Sequence, residues 1–502
     1  MRTKAALKNA GASLLLQVVL ALSGLMLPRL FIGMYGSAVN GLVNSISQFV
    51  SYINLVEAGI SASAIVALYR PLAERNTLQR NRILASTKKF YGRSGVLFAA
   101  LVLLLLLVYP YVIRDEIPDT SFTRRMIGVL AVSGLADYFI LGKYRVLLQA
   151  DERSYVLSYA QIAGTVIMTA VSMIQMRLGC TALQVKLTAA AAYLLRTGLI
   201  VLYARCHYKD IDFRAEPDDT SAGRRWSALL HQLTALIIMN TDMLLLTVMV
   251  RREALLQVSI YSVYNLVAYA CASLMNAITN GVTASFGQIM SRKDEEELER
   301  CFSIYEFVFF IVIFTVYSCM GNLLYPFIAL YTSGYPDAAA YQNHGYAFLF
   351  TAIGILQSVR QPAITMICAA GHYRETQGRA LTEAALKMAV SVLLAGTLGI
   401  YGVLIGSLVS FTYRSVDMII YNHKHLVRNT GKRTGQRLLR NSAATAAVFL
   451  LLRGLPDRML SWQSWIGCAV VTGMTSAAVI IAVNLIFERS IWETIRKRGD
   501  RT

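Results

Sequence analysis

Residues 271–291 read CASLMNAITNGVTASFGQIMS (Cys271–Ser291), and residues 51–71 read SYINLVEAGISASAIVALYRP (Ser51–Pro71). Laid over each other at an offset of about 220 residues, the two stretches agree in order as well as in composition. Ser51 meets Ser273, Asn54 meets Asn276 and Gly59 meets Gly281, while Ser61-Ala62-Ser63 falls on Thr283-Ala284-Ser285. Apolar positions Ile53, Val56 and Ile60 fall on Met275, Ile278 and Val282. Further along, LVYPYVI (Leu107–Ile113) matches LLYPFIA (Leu323–Ala329), and LLQADERS (Leu147–Ser154) falls on ICAAGHYR (Ile367–Arg374). The chain is therefore a duplication, and the nature of the repeated unit fixes the fold.

That unit is apolar. Hydrophobic residues make up 56% of the 502-residue chain and charged residues 15%, which is too oily for one or two ordinary soluble cores. A window of about 20 residues, the length of a helix that crosses the hydrocarbon core, finds about 14 candidate spans. They lie near 12–34, 38–68, 90–113, 126–149, 154–176, 181–204, 226–250, 256–286, 302–330, 346–370, 376–397, 401–422, 437–453 and 464–487. Lipid offers no partners to backbone amides, and the segments lack the alternation of a membrane barrel, so the expected fold is an all-α polytopic membrane protein. The basic start MRTKAALKNAG before an apolar run has the look of a secretory signal, but further spans follow at once, and an uncleaved first helix is expected.

The repeat offset crosses six spans, an even number, so both halves take the same orientation: a parallel repeat about an axis along the membrane normal. The expected organisation is an N-terminal six-helix lobe over 1–206, a cytoplasmic linker over 207–225, a second six-helix lobe over 226–428, and two further helices with a basic tail over 429–502. Two such lobes would meet in a seam at the bilayer midplane, the architecture of an alternating-access transporter.

Formal net charge is +19, but its distribution points to topology. Basic residues crowd into YRPLAERNTLQRNRILASTKKFYGR (Tyr69–Arg93), NHKHLVRNTGKRTGQRLLR (Asn422–Arg440) and the tail RKRGDRT, all on one side of the predicted arrangement. The positive-inside rule then puts both termini in the cytoplasm, with anionic membrane lipids as contacts and no nucleic acid as partner. Seven scattered cysteines without a C-x-x-C give neither a disulfide framework nor a zinc site. His423 and His425 stand in a basic loop with no third ligand. No G-x-x-x-x-G-K-[ST], G-x-S-x-G or H-E-x-x-H is present, so neither a catalytic site nor a cofactor is expected.

Ionisable side chains inside the spans are the candidate functional residues. Asn40, Asn44, Ser47, Ser51, Asn54, Glu57 and Ser61 recur at steps of three and four and form one polar stripe. A carboxylate at the bilayer centre costs about 2.5–3.5 kcal/mol, so Glu57 must face protein, be paired, or hold a proton. Other intramembrane charges are Arg29, Asp137, Lys143, Arg196, Asp242, Arg360, Glu383, Lys387, Arg414 and Asp417. Glu383 with Lys387, and Arg414 with Asp417, are spaced to neutralise each other on one helix face. Arg29 and Lys143, near span ends, are placed to snorkel. Arg196 and Arg360 lack an acid within a turn, and a guanidinium's fixed fork suits phosphate oxygens. Tyr261, Tyr264 and Tyr269 belong either to helix packing or to a sugar-stacking surface.

The stretch YGSAVNGLVNSISQFVSYINLVEAGISASAIVALYRPLA (Tyr35–Ala73), with NTDMLLLTVMV (Asn240–Val250) and VSIYSVYNLV (Val258–Val267), resembles the polysaccharide-export flippases of the multidrug/oligosaccharidyl-lipid/polysaccharide (MOP) superfamily. The resemblance runs from about Lys8 to Phe487 and agrees with the superfamily's frequent 14-helix, two-lobe form. It implies transfer of an undecaprenyl-diphosphate-linked oligosaccharide across the bacterial inner membrane, ahead of assembly into capsule, lipopolysaccharide O-antigen or exopolysaccharide, with a polysaccharide assembly complex as partner. The expected substrate contacts are Arg29, Lys143, Arg196, Arg360, Arg414, Asn44 and Asn54. Glu57, Asp137 and Asp242 are the expected carriers of a coupling proton or sodium ion. A cation-coupled drug exporter of the same superfamily is the alternative. A membrane glycosyl polymerase or ligase fits less well, because the external loops RDEIPDTSFTRR (Arg114–Arg125) and TSGYPDAAAYQNHG (Thr332–Gly345) are short.

Overall fold

The computed structural model describes residues 2–54, 60–117, 119–213, 215–216, 240–292, 294–427, 431–455, 461–489 and 491. Glu57, the linker from 217 onward and the first part of the span expected over 226–250 lie outside the described residues. The described residues form helices and no strand, and ten of the helices are long and apolar enough to cross a membrane. The protein is an all-α polytopic membrane protein.

In chain order the elements are α1 (Arg2–Tyr35), α2 (Ser37–Ile53), α3 (Ile60–Ala73), α4 (Thr77–Val112), α5 (Thr120–Ala136), a π-helical turn (Asp137–Leu141), α6 (Gly142–Ala150), α7 (Ser154–Arg177) and α8 (Ala182–His207). A helix described over 240–249 is α9. Then follow α10 (Ala254–Ser291), α11 (Glu295–Tyr331), the short α12 (Ala338–Tyr341), α13 (His344–Val359), α14 (Gln361–Ala370), α15 (Tyr373–Leu398), α16 (Ile400–Asn422), a second π-helical turn (His423–Val427), α17 (Lys432–Leu452) and α18 (Trp462–Phe487).

The repeat is visible in this order. α4 and α11, of 36 and 37 residues, each carry a proline near their C-terminal end, Pro110 and Pro326. The next span is interrupted in both halves: a π-helical turn separates α5 from α6, and Arg360 separates α13 from α14. Two uninterrupted helices then follow, α7 and α8 in the first half and α15 and α16 in the second.

Helix ends are set by local chemistry. Asn76 accepts from the Gln79 amide (3.0 Å), Asp119 from Phe122 (2.9 Å) and Asp294 from Glu297 (2.9 Å), each satisfying an orphan donor of the first turn. Gly399, with φ +54° and ψ −126°, joins α15 to α16 through a conformation that only glycine adopts readily.

The chain divides into two compact units, Met1–Ser259 and Ile260–Thr502, with the division inside α10. In the first, Leu42, Ile46, Leu68, Leu84, Phe98, Met126, Ile127, Val146 and Leu147 form a fully buried core. In the second, α15 and α16 are the most closely packed pair. Lipid tails are as apolar as leucine, so such pairs are held by backbone approach and dispersion contacts at small residues. Gly402 and Gly406 supply that surface: a Cβ on Gly402 would strike the Leu394 carbonyl, and one on Gly406 would strike Ser391. Gly402→Val is therefore expected to lower the stability of the purified protein by about 1–3 kcal/mol through overpacking. Gly467→Ala, where no atom lies within 4 Å of the added Cβ, should leave the unfolding midpoint unchanged; equal midpoints for the two variants would refute the close-approach account.

Candidate functional site

In the first unit, the polar stripe of α2 is largely consumed by hydrogen bonds. Asn40 Nδ2 donates to Ser259 Oγ (2.8 Å), Asn44 Nδ2 to the Asn40 carbonyl (3.0 Å), and the Ser47 and Ser51 hydroxyls to carbonyls four residues back (2.7 and 2.8 Å). Ser and Thr hydroxyls satisfied in this way are compatible with an apolar surrounding. The neighbouring face meets α9: Ser45 and Thr247 share a hydrogen bond of 2.7 Å, Tyr109 donates to Ser45 (2.8 Å), and Tyr52 bonds to Thr241. Asp242, 4% exposed, lies beside this group, close enough to Tyr52 to interact electrostatically. Gln48 Oε1 is buried with no hydrogen-bond partner among the described residues. The Asn54 carbonyl ends α2 by accepting from Tyr138 (3.0 Å).

A second polar group forms around Asp137, the first residue of the π-helical turn. Arg145 lies 3.6 Å away, Tyr193 donates a hydrogen bond to its carboxylate, and Arg196 on the same helix face as Tyr193 stacks 5.2 Å from that ring. A π turn inserts one residue and re-aims the side chains around it, which is why such turns recur at functional sites. Asp137 and Arg196 thus both act on the same tyrosine, Tyr193. Lys143 goes elsewhere, its ammonium 3.2 Å from the Phe139 carbonyl and over the Phe213 ring at 5.2 Å. Arg29 is half-buried on α1.

In the second unit, the break at Arg360 places its guanidinium against Glu383 of α15 (2.5 Å) and over the Phe411 ring (4.7 Å). Glu383 also lies 3.4 Å from Arg414 of α16, which pairs with Asp417 at 2.9 Å; Asp417 in turn takes Arg379. Lys387, 1% exposed, sits 5.9 Å from the same Phe411 ring. The expected Arg414–Asp417 pair is present, while Glu383 bonds across helices to Arg360 and Arg414. This group holds four basic and two acidic side chains. Nε of Arg360 is buried without a hydrogen bond, as is Nε of Arg196 in the first unit. Of the tyrosines, Tyr264 is fully buried and donates to the Tyr341 carbonyl (2.7 Å), whereas Tyr269 is 70% exposed.

One network escaped the sequence reading. Arg437 of α17, 1% exposed, donates to Glu306 of α11 (2.8 Å), to Glu488 just beyond α18 (2.6 Å) and to the Ser303 carbonyl (3.0 Å). Arg440 adds a bond to Glu488 (2.7 Å). A lone Glu306 in the apolar run EFVFFIVIF was the available signal. Burial pushes the Glu488 carboxyl up, but the two arginines outweigh it and hold the group below the usual carboxylate range. A depressed folded value means stability that is complete above the unfolded carboxylate value and lost as pH falls through the folded one. The gap in melting temperature between wild type and Glu488→Gln should therefore be wide near about pH 7 and close toward about pH 3, below the ordinary carboxylate range; a gap independent of pH would contradict the pairing.

No family model and no curated protein sequence matches the chain. Solved structures do. A lipid II flippase MurJ in an inward closed conformation superposes with a TM-score of 0.73 at 11% identity, covering 95% of this chain and 99% of that one. An inward-facing multidrug resistance MATE family transporter of the MOP superfamily gives 0.62 at 14% identity, covering 81% and 93%. A MATE in complex with MaD3S gives 0.57 at 13%, covering 84% and 95%. The chain has the fold of the MOP-superfamily flippases and exporters.

Proposed function

We propose that the chain is a transporter that moves an undecaprenyl-diphosphate-linked oligosaccharide from the inner to the outer leaflet of a bacterial inner membrane, for surface polysaccharide synthesis, by alternating access. The observation that carries this reading is the excess of cations around Glu383: the buried Arg360, Arg414 and Lys387 and the partly exposed Arg379 against Glu383 and Asp417, with a guanidinium N–H of Arg360 left without a hydrogen bond. Unspent buried donors are costly, and a diphosphate headgroup is the ligand that repays them. Arg360 and Arg414, with Arg196, Arg29 and Lys143, are the proposed headgroup contacts. Asn44 and Asn54 are proposed to meet sugar hydroxyls. Asp137, Asp242 and Glu57 are the proposed carriers of a coupling proton or sodium ion, and anionic lipids the proposed contacts of the basic loops.

A second reading, a cation-coupled drug exporter, draws on the MATE fold match and on the buried Asp242. Ligand-induced stabilisation separates the two, because a ligand that binds only the folded protein raises its melting temperature. Undecaprenyl diphosphate should raise the melting temperature of wild type, undecaprenol should not, and Arg196→Gln should blunt the rise. A rise with lipophilic cations alone would favour the exporter.

A further inference from the structure

The side chain of Thr434, at the start of α17, touches three polar atoms. His423 Nε2 lies 2.8 Å from its hydroxyl oxygen, and Glu306 Oε1 and Oε2 lie at 2.8 and 2.9 Å. His423, Thr434 and Glu306 are buried, at 7%, 1% and 3% exposure, yet all three line a cleft of about 290 Å³ with Glu299, Ser303, Lys432, Arg433 and Arg437. We infer that His423, Thr434 and Glu306 form a proton-binding site, with Thr434 as the hydroxyl bridge that exchanges one proton between imidazole and carboxylate.

Hydrogen-bond accounting dictates two states. A threonine hydroxyl carries one proton and accepts through its lone pairs. With Glu306 ionised, that proton points at the carboxylate, so Nε2 of His423 must bear hydrogen and donate to the Thr434 oxygen. With Glu306 protonated, the acid donates to the Thr434 oxygen, the hydroxyl turns round, and Nε2 must be a bare acceptor. Passage between the states takes one proton from the imidazolium to the bridge while the bridge gives its own to the carboxylate; imidazolium plus carboxylate becomes imidazole plus carboxylic acid, and no proton is gained or lost. Waters in the cleft can then load or remove the shared proton, since the cavity is both roomy and polar.

The surroundings bias the balance. Arg437 of α17 donates to Glu306 Oε2 at 2.8 Å and favours the carboxylate, while Lys432 and Arg433 of α17 oppose an imidazolium. Glu299 of α11 favours the imidazolium from the cleft, and Glu488 draws on the far side of Arg437. The Phe302 ring stands edge-on to His423 at 5.8 Å. Gly431, with φ +65°, leaves room for the imidazole: a Cβ there would come within 3.1 Å of the ring. α11, the π turn after α16 and α17 therefore meet on one exchangeable proton.

The test needs no substrate. The full chain, labelled with ¹⁵N-histidine and held in lipid nanodiscs, is titrated by NMR, with the His423 signal identified by its loss in His423→Gln. The wild-type ring should show both the Nε2-protonated and the Nδ1-protonated form as the pH is varied, their balance following the protonation of the bridge. Thr434→Val should abolish that tautomer change, and Thr434→Ser, which keeps the hydroxyl, should restore it. Glu306→Gln should also abolish it, because no carboxylate is left to take the proton from the bridge. A wild-type His423 that holds one tautomer throughout, or a Thr434→Val protein that titrates like wild type, would overturn the site.

Discussion

Glu383→Gln should destabilise the second unit by about 3–5 kcal/mol, the loss expected when one partner of a buried ion group is removed and its counter-charges stay behind. Glu383 is 2% exposed and stands between the guanidiniums of Arg360 and Arg414, themselves 7% and 3% exposed. A neutral amide leaves two cations in a low-dielectric surrounding, with Asp417 at one edge as the remaining acid. Asp417→Asn should cost much less, since the Asp417 side chain is 14% and its partner Arg379 39% exposed, and water screens what is lost. Combining Glu383→Gln with Arg414→Met should recover part of the loss, because removing charge from both sides spares the desolvation of the orphan. Thermal unfolding in detergent measures all three. An unfolding midpoint for Glu383→Gln equal to that of wild type would show that the ion group does not hold α15 and α16 to the Arg360 break.

Arg437→Ala is expected to match that effect by a different route. One guanidinium fork serves Glu306, Glu488 and the Ser303 carbonyl, so its loss unties α17 from both α11 and the end of α18. Glu306 would keep the Thr434 hydroxyl but lose the guanidinium bonded to its buried carboxylate, again about 3–5 kcal/mol. Arg437→Lys should rescue little, since one ammonium cannot span three acceptors set in a planar fork. Fluorescence from the opposite end of α18 reports whether the whole helix loosens: Trp462 and Trp465 pack against Phe327 of α11 at 5.7 and 5.5 Å. Their emission should shift toward that of solvated indole in Arg437→Ala and remain native in Glu383→Gln at a temperature where both are folded. An unshifted spectrum would mean that α18 docks by its apolar face alone.

About 14 spans were read from the sequence and ten helices among the described residues are long and apolar enough to cross; those were legible because a bilayer demands apolar helices of a fixed length, which composition reports. Direction within a span was not. The stretches 126–149 and 346–370 read as single helices, yet the first contains a π turn at Asp137 and the second breaks at Arg360. A hydropathy window sums residues and is blind to one inserted residue or one lost backbone bond. Charge pairing shows the same boundary between local and tertiary information. Arg414 and Asp417, three residues apart, were readable as a pair, and Arg360 with Glu383, 23 residues apart on different helices, was not. Tyr193 reaching Asp137 and Arg437 reaching Glu306 belong to the same class. Helix packing brings those groups together, and no spacing rule along one helix reports it.

On the proposed reading the buried cations serve a lipid diphosphate in transit. Leaflet exchange of a fluorescent undecaprenyl-diphosphate oligosaccharide, in liposomes carrying the purified protein, tests it most directly, with wild type and Arg196→Gln compared under an imposed proton gradient. Exchange well above protein-free liposomes is expected for wild type, with a marked loss for Arg196→Gln at equal folded protein. Exchange no faster than in protein-free liposomes, together with efflux of a lipophilic cation from the same preparation, would contradict that reading.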